Sequence, residues 1–339
     1  MKKVLVTGAN GFLGSHVVGT MLNSQYQVRA IVRKGSNLKA LGELNYELFE
    51  GQITKKSDVE KAVKGCSFVI HVAARTAQTP SNLEAFRKPN IDSTRFLIDA
   101  CKKYDVKRFV FVSTANCFGN GTKKNPGDEK KPFLSWLKNS GYAYSKYLAQ
   151  QMVLKETVEN KFDAVIVNPT FLIGANDIKP SSGQIFSHVL NKKIAFYPPG
   201  GKNFVDVETV VNGIISALEK GRKGECYLLA GENHSYKDFF RMIKKITGQK
   251  TILIPIPKLV LLILGWFGSF FEKVLKTPVQ LSYTNARMLC TGNYFTPEKA
   301  INELGFQITS TKYSVEKAIL WFHSNNYFLT TNHFLNYEF

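Results

Sequence analysis

Val4-Leu5-Val6-Thr7-Gly8-Ala9-Asn10-Gly11-Phe12-Leu13-Gly14 is an aliphatic run that breaks into glycines spaced three apart. Val4 to Thr7 reads as a buried parallel strand, and Val17, Val18, Met21 and Leu22 beyond the glycines repeat with helical period. A strand turning through Gly-x-x-Gly-x-x-Gly into a helix is the context a dinucleotide fingerprint requires. Gly8 permits the tight turn, Gly11 lets backbone amides approach a pyrophosphate, and Gly14 lets the helix pack closely on the strand. The helix N-terminus adds its partial positive charge. Gly8, Gly11, Phe12, Leu13 and Gly14 are therefore the first cofactor-binding candidates.

Outward from this loop, strands alternate with helices. Gln27 to Val32, Tyr46 to Phe49, Phe68 to Val72, Arg108 to Val112 and Ala164 to Val167 read as further strands. A long helix is expected from about Leu83 to Lys103, with Leu97, Ile98 and Cys101 on one face. Another opens near Tyr142. This rhythm predicts an α/β fold of the Rossmann type, a doubly wound parallel sheet. After Pro169 prolines punctuate shorter elements, with helices near Val207–Lys220, Tyr236–Thr247, Pro297–Leu304 and Tyr313–His323. The expected division is a dinucleotide-binding domain over 1–170 and a smaller substrate lobe over 171–339, some of whose helices pack back on the sheet.

The chain has 339 residues, 44% of them hydrophobic, which suits a globular protein with an ample core. Its formal charge of +19 comes largely from scattered lysine pairs such as Lys55-Lys56 and Lys244-Lys245. No basic stripe is interleaved with aromatics, so a nucleic-acid partner is not expected. The charge favours anionic ligands and acidic membrane surfaces. Five dispersed cysteines without a Cys-x-x-Cys suit free thiols in a reducing compartment and offer no metal site. Met1-Lys2-Lys3 runs straight into the first strand, and a cytoplasmic location is expected.

Proteins that bind NAD usually carry an acid at the end of the second strand, on the ribose 2′-hydroxyl. Here the segment reads Ala30-Ile31-Val32-Arg33-Lys34. Cations at that place suit a 2′-phosphate, so NADP(H) is expected over NAD(H). Further along, Tyr142-Ala-Tyr-Ser-Lys146 places a phenol and an ammonium four apart, on one helical face. An isolated tyrosine titrates near 10, too high for proton traffic at neutral pH. An ammonium about 4 Å away is worth about 4 kcal/mol at an effective dielectric near 20, and is expected to lower that value. Tyr144 lies two residues from Lys146 and points away from it. Ser113 and Thr114 end the fifth strand at the ligand-binding edge, where a hydroxyl can hold a substrate oxygen. His71 sits within a buried strand and reads as structural.

These motifs together resemble the extended short-chain dehydrogenase/reductase superfamily, in its NAD-dependent epimerase/dehydratase group. Thr7 to Gly14, His71-Val72-Ala73-Ala74, the turn containing Asn90, Val112-Ser113-Thr114, Tyr142/Lys146, Asn168-Pro169-Thr170 and Phe204-Val205-Asp206-Val207 carry the resemblance, over roughly residues 1 to 250. The branch it is most similar to is that of the dihydroflavonol reductases and 3β-hydroxysteroid dehydrogenases. The resemblance implies Thr114 as the catalytic hydroxyl, Tyr142 as acid/base and Lys146 as its partner and ribose ligand. It places Ala73, Ala74, Asn90 and Pro169 around the cofactor. It matches Arg33, with Lys39 second, to basic residues of NADP-preferring relatives. In one departure, Gly51-Gln52-Ile53 stands where relatives often have an aspartate facing the adenine, so Gln52 and Ile53 would take that edge.

Leu259 to Phe271 carries no charge. As a helix it spans roughly 20 Å, short of a bilayer core of about 30 Å, so it is not expected to be transmembrane. A core or subunit-interface helix is the first expectation, followed by the wall of a greasy pocket and by peripheral membrane contact. The expected function is an NADP(H)-dependent reductase or dehydrogenase acting on a ketone, aldehyde or secondary alcohol of a fairly hydrophobic small molecule. A nucleotide-sugar epimerase or dehydratase with tightly held NAD is the alternative. A non-catalytic NADP(H) sensor or scaffold is a third reading.

Overall fold

The computed structural model describes residues 2–77, 79, 81–275 and 279–327. Its first half runs β1 (Lys3–Thr7), α1 (Phe12–Asn23), β2 (Gln27–Val32), β3 (Glu47–Glu50), α2 (Lys56–Val63) and β4 (Phe68–His71). It continues through α3 (Glu84–Phe86), a π-helical turn (Arg87–Asp92), α4 (Ser93–Lys103), β5 (Arg108–Val112), α5 (Gly141–Glu159) and β6 (Ala164–Pro169). The second half comprises β7 (Phe171–Ile173), β8 (Ile194–Tyr197), β9 (Gly201–Asp206), α6 (Val207–Lys220), β10 (Cys226–Leu229), β11 (Glu232–Ser235) and α7 (Tyr236–Thr247). It ends with β12 (Ile252–Pro255), α8 (Lys258–Leu275), α9 (Tyr283–Leu289), β13 (Gly292–Asn293), α10 (Glu298–Leu304) and α11 (Thr311–Ser324).

Seven strands form one parallel sheet in the order β10-β6-β5-β4-β1-β2-β3. The chain winds outward from β1 in both directions. The C-terminal ends of β1 and β4 therefore flank the switch point where doubly wound sheets bind ligands. Parallel strands are covered on both faces, which is why Val4, Leu5, Val6 and the whole of β6 are buried. On one side Val17, Val18 and Met21 of α1 pack with Val210, Val211 and Ile214 of α6. On the other, Leu97, Ile98 and Cys101 of α4 meet Ala149 and Val153 of α5. Two elements from beyond residue 170, α6 and β10, are thus part of this sheet's layers.

The expected long helix over 83–103 is not continuous. Pro89 has no N–H to return to the carbonyl four residues back, and the ladder widens to a π turn over Arg87–Asp92. A separate lobe is built on β11-β9-β13, with β7 against β9, around its own aromatic core. Phe204 and Phe239 stack there at 4.0 Å. Asp206 caps α6, its carboxylate accepting from the N–H groups of Glu208 and Thr209.

Candidate active site

The glycine loop is shaped by close backbone approach. Gly8 has φ +69°, and a Cβ there would lie 2.8 Å from Ala73 Cα, so the β1 turn rests directly on the strand end of β4. A Cβ on Gly14 would collide with the Gly8 carbonyl oxygen. Gly11 is different, because its Cβ would meet only Gly8 O, at 3.2 Å. It faces the space above the loop. Helix α1 starts after it at Phe12 with no side-chain cap and no acid in its first turn. Its orphan amides and dipole are left to an anion. This cradle fits the pyrophosphate of a dinucleotide.

Arg33 follows β2 directly and is exposed, as is Lys39. Their loop is tied to the glycine turn by Asn10 Nδ2, which donates to Asn37 O at 3.2 Å. Gln52 is exposed, and its N–H donates to Asp58 Oδ2 at 3.1 Å. That bond, the largest influence on Asp58, helps hold its carboxyl below the usual range. The turn lacking the relatives' aspartate is thus fixed through its backbone by an acid from α2. Ile53 packs into the core beneath it.

Below Ala73 lies a directional hydrogen-bond chain. Thr94 Oγ1 donates to Asn90 O at 2.7 Å, so it accepts from His71 Nε2 at 3.2 Å. His71 Nδ1 is then the acceptor for Thr7 Oγ1 at 2.7 Å, and Thr7 Oγ1 accepts from Ala73 N at 3.1 Å. Burial, with the charge of Lys146, holds His71 well below its ordinary pKa. It is a neutral strut between β1 and β4. Asn90, brought inward by the π turn, has its side chain fully engaged. It accepts from Arg75 N (2.7 Å) and donates to Arg75 O (3.1 Å) and Ser145 Oγ (2.9 Å). Asn90 thereby fixes the segment after Ala73 and Ala74 against α5.

Helix α5 starts under a Ser140 cap, with Tyr142 in its first turn and half-buried. Burial pushes the Tyr142 phenol up to about 12, against a hydrogen bond from Thr114 that pulls it down. Ser113 is occupied elsewhere, within 3.3 Å of the Cys117 thiol. Thr114 is therefore the strand-end hydroxyl that meets the tyrosine. Tyr144 faces another way and stacks on Phe133.

Lys146 corrects an expectation. Its ammonium is buried, donates to Val112 O at 2.7 Å and sits 4.1 Å above the Phe111 ring. Burial pushes it down to about 8. The phenol is not depressed as expected, because the strand end claims the ammonium while desolvation dominates at Tyr142.

Three side chains had no role assigned from the sequence, Asn168, Gln150 and Lys202. Asn168 Nδ2 donates to Thr114 O (2.9 Å) and to Gln150 Oε1 (2.7 Å), which locks the turn after β5 to α5. Gln150 stands four residues beyond Lys146, and polar side chains at positions 142, 146 and 150 of an otherwise packed helix face were the available signal. Lys202, on β9, lies 4.7 Å over the Phe171 ring, just past Pro169, and burial pushes it down to about 8. No carboxylate among the described residues pairs with it. Pro169 itself is buried at the end of β6.

Comparison with known proteins agrees with this geometry. The model of the NAD dependent epimerase/dehydratase family matches residues 4–230. A putative dihydroflavonol 4-reductase of Synechocystis is 29% identical, covering 96% of each chain. Sterol demethylase protein B of Methylococcus capsulatus is 26% identical over 94% of this chain and 97% of its own. The solved structure of gox2253 superposes with a TM-score of 0.85 at 31% identity, over 96% of this chain and 99% of that one. The chain belongs to the NAD dependent epimerase/dehydratase family, as an NAD(P)-dependent oxidoreductase of the extended short-chain dehydrogenase/reductase type.

Proposed function

We propose that this protein is an NADP(H)-dependent reductase of ketones or aldehydes on fairly hydrophobic small molecules. The observation that carries the reading is Tyr142, held protonated by burial and touched by Thr114 at the C-terminal edge of the sheet. The chemistry supplied by a bound nicotinamide dinucleotide is hydride transfer at a carbonyl carbon. Thr114 orients the carbonyl oxygen, and Tyr142 gives it a proton. A phenol pushed up to about 12 is fully protonated at neutral pH but weakly acidic, so it starts reduction in the required state and yields its proton only to the more basic alkoxide oxygen that reduction creates. Lys146, its ammonium held by Val112 O, would offer its remaining N–H donors and its charge to the ribose hydroxyls. Gly8, Gly11, Gly14 and the amides of Phe12 and Leu13 would hold the pyrophosphate, and Ala73, Ala74 and Pro169 would line the cofactor's path. Relatives named for dihydroflavonol and sterol chemistry support an apolar ring system as substrate.

Arg33, with Lys39, supports the 2′-phosphate. Arg33→Ala is expected to raise the KM for NADPH about tenfold, the equivalent of about 1.4 kcal/mol, and to leave that for NADH unchanged. Steady-state kinetics with both cofactors checks this, and a wild-type preference for NADH overturns it.

The pH profile follows from Lys146. Its value is lowered to about 8, so the ammonium is charged below that pH and loses its charge above it, while Tyr142 stays protonated throughout. Reductive kcat/KM should be level up to about pH 7 and approach a tenfold loss per unit above about 8. A profile level through pH 9.5, on the order of thirtyfold above the Lys146 midpoint, would remove the lysine's charge from the mechanism.

The second reading is a nucleotide-sugar epimerase or dehydratase. Lys202 beside the end of β6, partly buried and without a carboxylate partner among the described residues, favours it, as a cation able to meet a diphosphate. NAD retained through purification would select this reading, whereas freely exchanged NADPH selects the reductase.

A further inference from the structure

Helix α8 is built inside out. Its polar and small residues face the protein: Ser269 Oγ accepts from Tyr283 N at 2.8 Å, Glu272 Oε1 accepts from Ser81 N at 3.0 Å, and Gly265 rests on Ala286 of α9. Only Leu261 and Gly265 are buried. The outward face carries Leu259, Ile263, Trp266, Phe267, Phe270 and Phe271, with Leu259 69% and Trp266 57% exposed. Of the expected core or subunit-interface placement, the core half is overturned, because a glycine-lined inner face seats the helix flat on α9 and leaves its apolar side outward. An outward apolar face of this extent marks a contact surface rather than ordinary solvent exposure.

We infer that the outward face of α8 docks on an anionic phospholipid surface, lying in the interface plane. Three observations select this occupant. No helix among the described residues is long and apolar enough to cross a membrane, and the 18 residues of α8 span about 27 Å. The acid of α8, Glu272, is turned inward, while Lys258 and Lys273 bracket the apolar face and are exposed. A second copy would bring the same face, the same two lysines and another net charge of +19 against the first. Anionic headgroups complement that charge, and aromatic side chains suit the headgroup–acyl boundary. The docked helix would also stand beside the catalytic helix, because the Ser81 it holds accepts from Gly141 N at 2.8 Å, one residue before Tyr142. The lipid contact does not depend on the catalytic reading, since it is measured without turnover.

Co-sedimentation of the full chain with phosphatidylcholine vesicles, alone or with about 30% phosphatidylglycerol, tests it. Binding to the anionic vesicles should be at least about tenfold tighter and should weaken with salt. The double variant Phe267→Glu/Phe270→Glu should lose about tenfold or more while keeping its thermal midpoint, because both side chains are already exposed. As a second readout, Trp266 emission should shift to the blue on adding anionic vesicles, and Trp266→Phe should abolish the shift. Equal binding to both vesicles, no blue shift, or a wild-type dimer that the double variant dissociates would each overturn the inference.

Discussion

Tyr142→Phe should reduce kcat by about a thousandfold or more, the upper range for loss of a positioned proton donor. Cofactor affinity should stay within about twofold, because the phenol oxygen is one of several groups at that end of the cleft and no part of the glycine cradle. The fold should survive. Thr114 is the neighbour that acts on the phenol, and it keeps the Asn116 amide as a partner when the phenol is gone. Tyr144→Phe is the matched control, expected to leave turnover nearly unchanged, since that ring is stacked against Phe133. Single-turnover reduction of a carbonyl panel with NADPH, beside a fluorescence titration of cofactor, separates chemistry from binding. Retained turnover in Tyr142→Phe would end the assignment.

Gly11→Val should weaken dinucleotide binding by at least about a hundredfold, roughly 2.7 kcal/mol, with little loss of stability. The reason is the asymmetry among the three glycines. At Gly11 the backbone is extended and a Cβ touches only Gly8 O, at 3.2 Å, so a branched side chain fills the cradle and leaves the core alone. Gly14→Ala makes the contrast. Its Cβ drives α1 away from the Gly8 carbonyl, an overpacking that costs typically about 1–3 kcal/mol and lowers the thermal midpoint before any ligand is added. Thermal-shift titrations of both variants with NADPH should show one that melts normally but is blind to cofactor and another that melts early. Normal binding by Gly11→Val would place the pyrophosphate elsewhere.

Much of the fold was legible because its signals are local. The boundaries of β2 (Gln27–Val32), β5 (Arg108–Val112), α6 (Val207–Lys220) and α7 (Tyr236–Thr247) follow from apolar period and flanking caps. Pro89 was present in the sequence too, yet whether a helix bends, ends or widens at proline depends on what its neighbours need. Here Asn90 had Arg75 and Ser145 to hold.

The site divides along the same line. Residue type and spacing were enough to mark the glycine loop, the Ser113/Thr114 strand end and the Tyr142/Lys146 pair, because turn geometry and the i, i+4 repeat are properties of a short stretch of chain, whereas the choice of Thr114 came from the family resemblance. They were not enough to say where a flexible lysine side chain ends. Lys146 was drawn to Val112 O and the Phe111 ring on a strand more than thirty residues away, and the phenol was raised rather than lowered. Burial and field are sums over everything packed nearby, so Lys202 emerged from the crowd of lysines, and α8 turned its apolar face outward, only once the chain had folded.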